Sequence, residues 1–535
     1  MIYIKSVHIE NYKCFENLDI DFNKNVNIIV GNNEAGKSTI LEAINLCLSG
    51  LINNRYLRNE LNEYFFNTNV VKQFLEDSNL PPPRFLIEVY LDSDEPATNK
   101  DLEILKGSMN SRKENSAGIK LEVCFDDKYQ KEYTIYKQTS DKNSFPVEYY
   151  KIVWSSFAKD EVSTRSIPLK PNVIDASGAK YKNGSDYYIS KIISNQLSSE
   201  DIVELTQSIR GLKEKFKDEP ALKKVNDKIA ECDKISKKQV SVSVNTTEIN
   251  AWENLLNTYI DNIPFTQIGQ GEKSIIKTNL ALSTLRDNID NVVLIEEPEN
   301  HLSYSNLNGL LKTIEENNSN RQVIITTHSS FVANKLGLKN LLFINERKVS
   351  YFNQVEEDTQ NYFKKLAGYE TLRVILSNKS ILVEGPSDEL IVQKAYQVAN
   401  NNHLPIEDGI DVISVKGIQA RRFLKLAKDL PMKIAVVTDN DHNYKHNIVE
   451  RYSSYLNSNV NVFSNINDQE NTLEPSFANC NDKSELKKFL NCPDDKDVIA
   501  FMINNKSEWA YQVFYKDNQF NFPDYINECI RWISE

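Results

Sequence analysis

The sequence lacks the features of a membrane-inserted or secreted protein. No stretch approaches the ~18 apolar residues that a membrane-spanning helix needs. The N-terminus alternates apolar and polar residues like a strand, and it lacks the apolar core of a signal peptide. We therefore expect a cytoplasmic protein with no membrane partner.

Cysteine and basic charge are also scarce. The seven cysteines are scattered and form no Cys-X-X-Cys pair, which argues against a disulfide framework and against a zinc site. The formal net charge is −12, whereas a protein that coats DNA without specificity would be basic. A local basic groove beside acidic metal sites remains compatible with this balance.

The pattern that is present is α/β. A chain of 535 residues suggests about three folding units. Apolar runs and alternation predict strands at 26–30, 84–92, 119–126 and 132–137. Residues 186–239 have helical spacing and many charges, before a strand-like stretch at 236–249. We interpret the helical part as an insertion, either a dimerisation element or an ordinary surface helix pair.

A glycine-rich loop follows the first apolar strand. Residues 31–38, GNNEAGKS, match the pattern GxxxxGK[S/T] between a strand and a helix. The backbone N–H groups of such a loop form an anion nest for phosphates, the lysine adds a positive charge, and the serine hydroxyl binds Mg²⁺. The predicted ATP-binding residues of this loop are Gly31, Asn32, Asn33, Glu34, Gly36, Lys37, Ser38 and Thr39.

Two later strands extend this site. The run VVLIEE ends in Glu296 and Glu297 at the carboxyl end of a predicted parallel strand, where α/β sheets bind their ligands. We assign Glu296 to the Mg²⁺ shell and Glu297 to the attacking water. The run IITTHSS contains His328, which we predict to touch the γ-phosphate.

Glycines also precede the VVLIEE strand. Gly269 and Gly271 lie in the run IGQGEKS, where ABC-type ATPases carry their signature loop, although the common form is LSGGQ. A plain glycine-rich helix start is the alternative. The opening IENYKCF resembles that of RecF- and SMC-like ATPases, and Lys13 in it is a candidate phosphate ligand.

Carboxylates follow two further strands in the last third. Glu384 ends the run ILVE and Asp388 lies in the helix start after it, while Asp439 and Asp441 end the run VVTDND. The carboxyl ends of parallel strands would gather all four at one sheet edge, where they repel and raise one another's pKa. Mg²⁺ or Mn²⁺ is the natural compensation, and two such ions can hydrolyse a phosphodiester.

With these two sites in this order, the chain resembles the OLD (overcoming lysogenization defect) endonucleases over nearly its whole length. In that family an ABC-type ATPase precedes a Toprim domain, and Gabija nuclease subunits and retron-associated effectors share the arrangement. The resemblance implies metal-dependent DNA cleavage or nicking, often in antiphage defence, by homodimers or homotetramers. It also implies a further carboxylate and a lysine, for which Glu474 and Lys506 are the candidates.

The resemblance implies a companion subunit too, such as a helicase or a reverse transcriptase with its retron nucleic acid. The predicted fold class is α/β: an ABC-type ATPase with a helical insertion, followed by a Toprim domain with a Rossmann-like parallel sheet. The predicted segments are 1–185 (ATPase, N-terminal part), 186–245 (insertion), 246–345 (ATPase, C-terminal part), 346–377 (connector) and 378–535 (Toprim).

Basic residues lie between the two acidic strands. Arg421, Lys425 and Lys428 share one predicted helix face, as a phosphate-tracking stripe would, or as a solvated helix face would. Two other readings of the whole chain stay open. One is an SMC- or RecF-like DNA-binding ATPase whose Toprim domain is not catalytic, and the other is a nuclease directed at RNA, such as tRNA.

Overall fold

The structure is a computed structural model of the chain. It describes residues 1–53, 55–77, 80–95, 99–139, 145–175, 199–232, 259–282, 290–316, 321–352, 356–365, 371–415, 420–427, 432–516 and 520–535. The chain divides into two units, the first of Met1–Thr327 with Glu346–Val349 and the second of His328–Asn345 with Ser350–Glu535. Among the described helices, none is both long and apolar enough to cross a bilayer.

The first unit contains an antiparallel sheet built from the N-terminal strands. Alternation of buried and exposed residues, as in FENLDID, lets one face of each strand pack inward. The neighbouring strands run in the order Phe15–Asp21, Ile2–Tyr12, Phe85–Ser93 and Ser116–Phe125, and the last of these also pairs with Lys106–Gly107 and Tyr150–Ser156.

Four parallel strands of the first unit carry the predicted ATP site. Their order is Leu169–Asp175, Asp290–Glu296, Gln322–Thr326 and Val26–Gly31. Every residue of Val26–Gly31 is buried, as expected for a parallel strand covered on both faces. Because the strands are parallel, Gly31 and Glu296 end at the same edge of this sheet.

The helix Lys37–Ser49 contacts both sheets of the first unit. Its residues Ile40, Ile44 and Cys47 are fully buried. The Cys47 thiol points to the carbonyl oxygens of Ile87 and Ile119 in the antiparallel sheet. A helix that is apolar around most of its circumference has to be enclosed in this way.

The strand predicted at 132–137 is wrong, because the helix Gln130–Thr139 occupies this stretch. The aromatic residues are spaced for a helix: Tyr133 and Tyr136 lie about one turn apart, and their ring centroids are 6.4 Å apart. The Thr134 hydroxyl donates to the Gln130 carbonyl at 2.7 Å, a bond within one helical turn. Among the side chains described at 130–136, Tyr133 is the buried one. The helix is therefore anchored to the core through this residue, although the sequence alternates like a strand.

The remaining elements of the first unit include a helical pair where the insertion is predicted. The strand-like stretch at 236–249 lies outside the described residues. The further helices are Leu57–Glu60, Thr68–Glu76, Lys100–Glu103, Ser199–Lys217, Pro220–Cys232, Gln270–Leu282 and Tyr304–Glu316. The short paired strands are Leu51–Ile52 with Arg55–Tyr56 and Tyr259–Ile260 with Ile263–Pro264.

The second unit is built on another parallel sheet. Its described strands run in the order Ile410–Ser414, Lys379–Val383, Lys433–Val437 and Val460–Phe463. The two central strands are the ones that end just before Glu384 and Asp439. One apolar core, with Phe477 and Trp509 among its largest members, joins the sheet to the helices around it.

The other elements of this unit lie before, between and after these strands. The helices are Ser330–Leu336, Glu357–Lys365, Thr371–Leu376, Pro386–Ala399, Ala420–Ala427, Leu473–Asn479, Lys483–Phe489, Val498–Asn504, Lys506–Tyr515 and Asp524–Ser534, with a π-helical stretch at Lys445–Glu450. Two strands, Leu341–Asn345 and Lys348–Tyr351, precede the predicted Toprim sheet.

Candidate functional sites

The glycine-rich loop closes around its own lysine. The Lys37 ammonium donates to the carbonyl oxygens of Gly31 and Asn32, each at 3.0 Å. Gly36 has φ +97°, and a Cβ on it would lie 2.4 Å from the Phe15 ring, so both the backbone conformation and the space require glycine. The loop is thereby held in the conformation that leads from the strand into the helix Lys37–Ser49.

The acidic strand end lies beside this loop. The Ser38 hydroxyl donates to the Glu296 carboxylate, which brings together the two side chains predicted to hold Mg²⁺. Burial lowers the pKa of Lys37, while the nearby carboxylates of Glu297, Glu299 and Glu296 act to raise it. The loop and the acidic strand end therefore form one site of opposed charges.

Glu297 is held by its backbone and its side chain. Its N–H donates to the Thr326 carbonyl at 2.9 Å, and its carboxylate accepts from the Asn300 amide at 2.7 Å. Its φ is +43°, which is unusual for a residue with a Cβ. Asn300 and the pair of Thr327 with Glu299, at 2.7 Å, position this loop and were not predicted, although both lie within a few residues of the motifs.

The glycines of IGQGEKS begin the helix Gln270–Leu282. A Cβ on Gly271 would lie 2.4 Å from the carbonyl oxygen of His301, in the loop that follows Glu297. The Gly269 carbonyl accepts from the Lys273 N–H at 3.0 Å within the first turn. Glycine at 271 is thus explained by close approach of this helix start to the acidic loop.

Lys13 and His328 are the two other residues predicted to contact a phosphate. The Lys13 ammonium contacts the Glu42 carboxylate and lies 5.4 Å from the Phe65 ring centroid, so an ion pair engages it. His328 follows the strand Gln322–Thr326 by two residues and is the first residue of the second unit. Its role at the γ-phosphate stays a prediction.

In the second unit, the ends of the two central strands are joined through Glu384. Its carboxylate accepts from the Thr438 hydroxyl and from the Asp439 N–H, the latter at 3.1 Å. Thr438 and Asp439 directly follow the strand Lys433–Val437. The parallel register therefore places Glu384 and Asp439 side by side at one sheet edge.

Three more carboxylates surround this pair. Burial raises the pKa of Asp388 to about 7, with further increases from Glu384 and Glu474. Burial also raises the pKa of Asp439 to about 9, helped by Asp388, Glu384, Glu474 and Asp441. Asp388 and Asp439 are therefore made less acidic by burial and by the neighbouring carboxylates, as the sequence pattern predicts for an acidic cluster at a sheet edge.

Different hydrogen bonds hold Asp388, Glu474 and Lys506 in place. Asp388 accepts from the Gly385 N–H at 3.2 Å, and Glu474, which is buried, accepts from the Thr472 hydroxyl at 2.9 Å. Lys506 is exposed at the start of its helix, and its carbonyl accepts from the Ser387 hydroxyl at 3.1 Å. Lys506 is thus attached to the helix turn that carries Asp388.

Asn440, the middle residue of the motif Asp-Asn-Asp, was not predicted as a site residue. It is 1% exposed, and its amide donates to the carbonyls of Asn465 and Asn467 at 2.8 and 3.1 Å. Asp441 beside it is exposed and has φ +46°. Asn440 therefore fixes the loop that presents Asp441, a role that its alternation with two aspartates could have suggested.

The donor chemistry of this cluster fits a hard divalent cation. Glu384, Asp388, Asp439 and Glu474 offer carboxylate oxygens, the ligand type that Mg²⁺ and Mn²⁺ prefer. In the part of the chain that the structure describes, no three acidic, histidine or cysteine side chains already converge as a metal shell.

The predicted basic stripe is largely engaged within the second unit. Arg422 donates to the Asp358 carboxylate at 2.9 Å and lies over the Tyr362 ring, with 4.4 Å to the centroid. The Lys425 ammonium pairs with Glu356. Lys428, the third member of the predicted stripe, lies outside the described residues. A stripe that tracks phosphates therefore rests on Arg421 alone among the described members.

Comparisons with known protein families confirm the predicted kinship and the order of the two sites. The model of the AAA ATPase domain matches residues 2–333. The model of the overcoming lysogenization defect protein-like Toprim domain matches residues 375–441, which include the first four carboxylates of the cluster.

Individual relatives match different shares of the chain. The Retron Vc95 probable ATPase of Vibrio cholerae is 24% identical over 436 residues, covering 74% of this chain and 82% of the relative. The DNA replication and repair protein RecF of Clostridium acetobutylicum is 49% identical over only 49 residues, 9% of this chain and 14% of RecF. The solved C-terminal region of the OLD protein of Xanthomonas campestris covers 30% of this chain and 94% of that structure, with 19% identity and a TM-score of 0.24.

The close approach at Gly271 predicts opposite effects for two helical glycines. Gly271→Ala should lower the free energy of unfolding of the ATPase by roughly 1–3 kcal/mol, because the methyl group meets a backbone carbonyl. Gly309→Ala, in the helix Tyr304–Glu316, meets nothing within 4 Å and should raise it by about 0.5–1 kcal/mol. Urea unfolding of both variants measures the difference, and equal effects would contradict the close approach.

The acidic cluster predicts that Asp439→Asn stabilises the metal-free protein. The pKa of Asp439 is raised in the folded state to about 9, so its favourable contribution is complete in acid and is lost as the pH rises toward 9. The variant's advantage in thermal unfolding midpoint should therefore grow between pH 5 and 9, on the order of a few degrees. Mg²⁺ should stabilise the wild type more than the variant. A variant with no advantage at any pH would show that the carboxylates do not repel.

Proposed function

Because the chain belongs to the AAA ATPase domain family and carries an OLD-like Toprim domain, we propose that it is an ATP-binding, divalent-metal-dependent endonuclease that cleaves or nicks DNA. The observation that carries the proposal is the Glu384 carboxylate bonded to Thr438 and Asp439, beside carboxylates that raise the pKa of Asp388 and Asp439. A binding-only Toprim domain has no need to keep such a costly cluster.

The proposed nuclease centre divides its work among the residues described above. Glu384, Asp388, Asp439, Asp441 and Glu474 would hold Mg²⁺ or Mn²⁺. Such a cation, when bound, lowers the pKa of its water and neutralises charge on the phosphate. Thr438 and the Asp439 N–H hold the Glu384 carboxylate in place, and Lys506 would approach the phosphate as its negative charge increases.

The proposed ATP site is formed by the glycine-rich loop and the acidic strand end of the first unit. Lys37 and the backbone N–H groups of residues 31–38 would bind the phosphates. Ser38 and Glu296, already bonded to each other, would hold Mg²⁺. Glu297, fixed by Asn300, would orient the attacking water, with Gly269, Gly271 and His328 contributing further contacts to the nucleotide.

The biological setting is a further part of the proposal. The similarity to the Retron Vc95 probable ATPase of Vibrio cholerae supports a role in antiphage defence. The proposed companion is a reverse transcriptase with its retron nucleic acid, or a helicase. We propose that the chain works as a homodimer or homotetramer and that nucleotide regulates cleavage. RNA is the alternative substrate, since metal-bound water attacks either backbone.

Purified protein incubated with plasmid DNA and Mg²⁺ or Mn²⁺ tests the nuclease. Wild type should convert supercoiled plasmid to nicked or linear forms, and Asp439→Asn should slow this by about 100-fold or more. The matched control is Asp495→Asn, an exposed aspartate of the same unit, which should cleave like the wild type. Equal cleavage by all three proteins would identify a contaminant, and cleavage of tRNA in place of plasmid would make RNA the substrate.

Lys37→Ala tests the nucleotide site and its coupling to cleavage. Loss of the ammonium from the phosphate nest should weaken ATP binding by roughly 10- to 100-fold, or about 1.4–2.8 kcal/mol. Cleavage by this variant should no longer respond to ATP. Lys24→Ala, which removes an exposed lysine paired with Asp94, is the control and should keep the response. A Lys37→Ala protein whose cleavage still follows ATP would exclude this site as the regulator.

A further inference from the structure

Arg421 lies at the same sheet edge as the acidic cluster. It is in the first turn of the helix Ala420–Ala427, which follows the strand Ile410–Ser414. This strand is parallel to Lys379–Val383 and ends level with it, because the Val415 N–H donates to the Val383 carbonyl at 2.8 Å. The strand end before Arg421 is therefore next to Glu384.

One nitrogen of the Arg421 guanidinium has no hydrogen-bond partner, in contrast to the bonded side chains beside it on the helix. Arg422 and Lys425, on the same helix, are bonded to Asp358 and Glu356. The Nε of Arg421 is buried and, within the described part of the chain, has no hydrogen-bond partner. A buried N–H donor is normally satisfied, so one that is not calls for an explanation such as an absent ligand.

A buried tyrosine connects Arg421 to the cluster. The Tyr452 side chain is 4% exposed and is hydrogen-bonded to Thr438, the residue that also donates to Glu384. Arg421, Arg451 and Glu384 all lie near enough to the Tyr452 hydroxyl to change its pKa, which burial raises most strongly. Positive charge from Arg421 therefore lies in the same neighbourhood as the Glu384 carboxylate.

We propose that Arg421 is a phosphate-binding residue of the Toprim site, and that it grips the non-bridging oxygens of a nucleic-acid phosphate next to the one that is cut. The planar guanidinium can donate two parallel bonds to such a phosphate, and Nε is one of the donors used in this geometry. The inference rests on the proposed nuclease function and adds to it the anchor that holds the backbone of the substrate beside the acidic centre.

The control for this proposal is another arginine of the same unit. Arg531 is exposed in the helix Asp524–Ser534, and the adjacent Trp532 carbonyl accepts from Lys433, the first residue of its strand. Arg531 therefore lies toward the amino ends of the strands, at the edge opposite Glu384. Its removal changes the net charge as much as removal of Arg421 does.

The test measures binding separately from cleavage. A fluorescent DNA duplex of about 30 base pairs is titrated with the full-length Asp439→Asn protein over a range of salt concentrations, alone and combined with Arg421→Ala, Arg421→Lys or Arg531→Ala. Arg421→Ala should weaken binding by roughly tenfold. The slope of log affinity against log salt concentration should fall in magnitude by about 1, the value expected for the loss of one phosphate contact. Arg421→Lys should recover the slope and only part of the affinity, while Arg531→Ala should change neither.

The outcomes separate this inference from the proposed function. If wild type cleaves plasmid but Arg421→Ala keeps both the affinity and the salt slope, Arg421 does not bind phosphate and the nuclease proposal stands. If Arg421→Ala loses affinity with an unchanged slope and an altered far-ultraviolet circular dichroism spectrum, the residue is structural and the inference is wrong. If wild type neither cleaves nor binds, the proposed function itself fails.

Discussion

Repulsion between carboxylates at the edge of one parallel sheet is the interaction on which the second unit depends. The strands Lys379–Val383 and Lys433–Val437 are in parallel register, so Glu384 and Asp439 must end side by side. Asp388 and Glu474 approach the same edge from two helices and raise the pKa of Asp439 further. The fold stores an electrostatic cost here that a cation or a proton relieves. A stable unit can carry this cost because a single apolar core joins the sheet to its helices.

The first unit also collects carboxylates at a sheet edge, but there a lysine balances their negative charge. Its carboxylates at 296, 297 and 299 face a lysine instead of one another, and the Ser38 hydroxyl already contacts Glu296. The two units thus use one architectural rule, which is that the carboxyl ends of parallel strands collect the functional side chains. They differ in whether the protein itself supplies the compensating charge.

The sequence predicts the parts of the structure that short, strongly patterned segments specify. The glycine-rich loop, the strands leading to Glu296, Glu384 and Asp439, and the order of the two domains follow from local motifs. Prediction fails where partners distant in sequence decide the outcome. The segment 132–137 alternates like a strand but forms a helix around buried Tyr133, and the pairing of Arg422 with Asp358 depends on an element 64 residues away. The Asp-Asn-Asp pattern singles out Asn440, but its two acceptors at 465 and 467 lie about 25 residues away and follow only from the structure.

The helix Lys37–Ser49 is enclosed between two sheets, and this enclosure determines how its amide protons meet solvent. Local fraying cannot expose the middle of a helix that is covered on all sides, so exchange with deuterated water requires separation of both layers. The amides of this helix therefore report the opening of the ATPase core, in contrast to those on the exposed side of the half-buried helix Tyr304–Glu316. The segment that bears Lys37, the lysine of the proposed ATP site, should therefore exchange slowly.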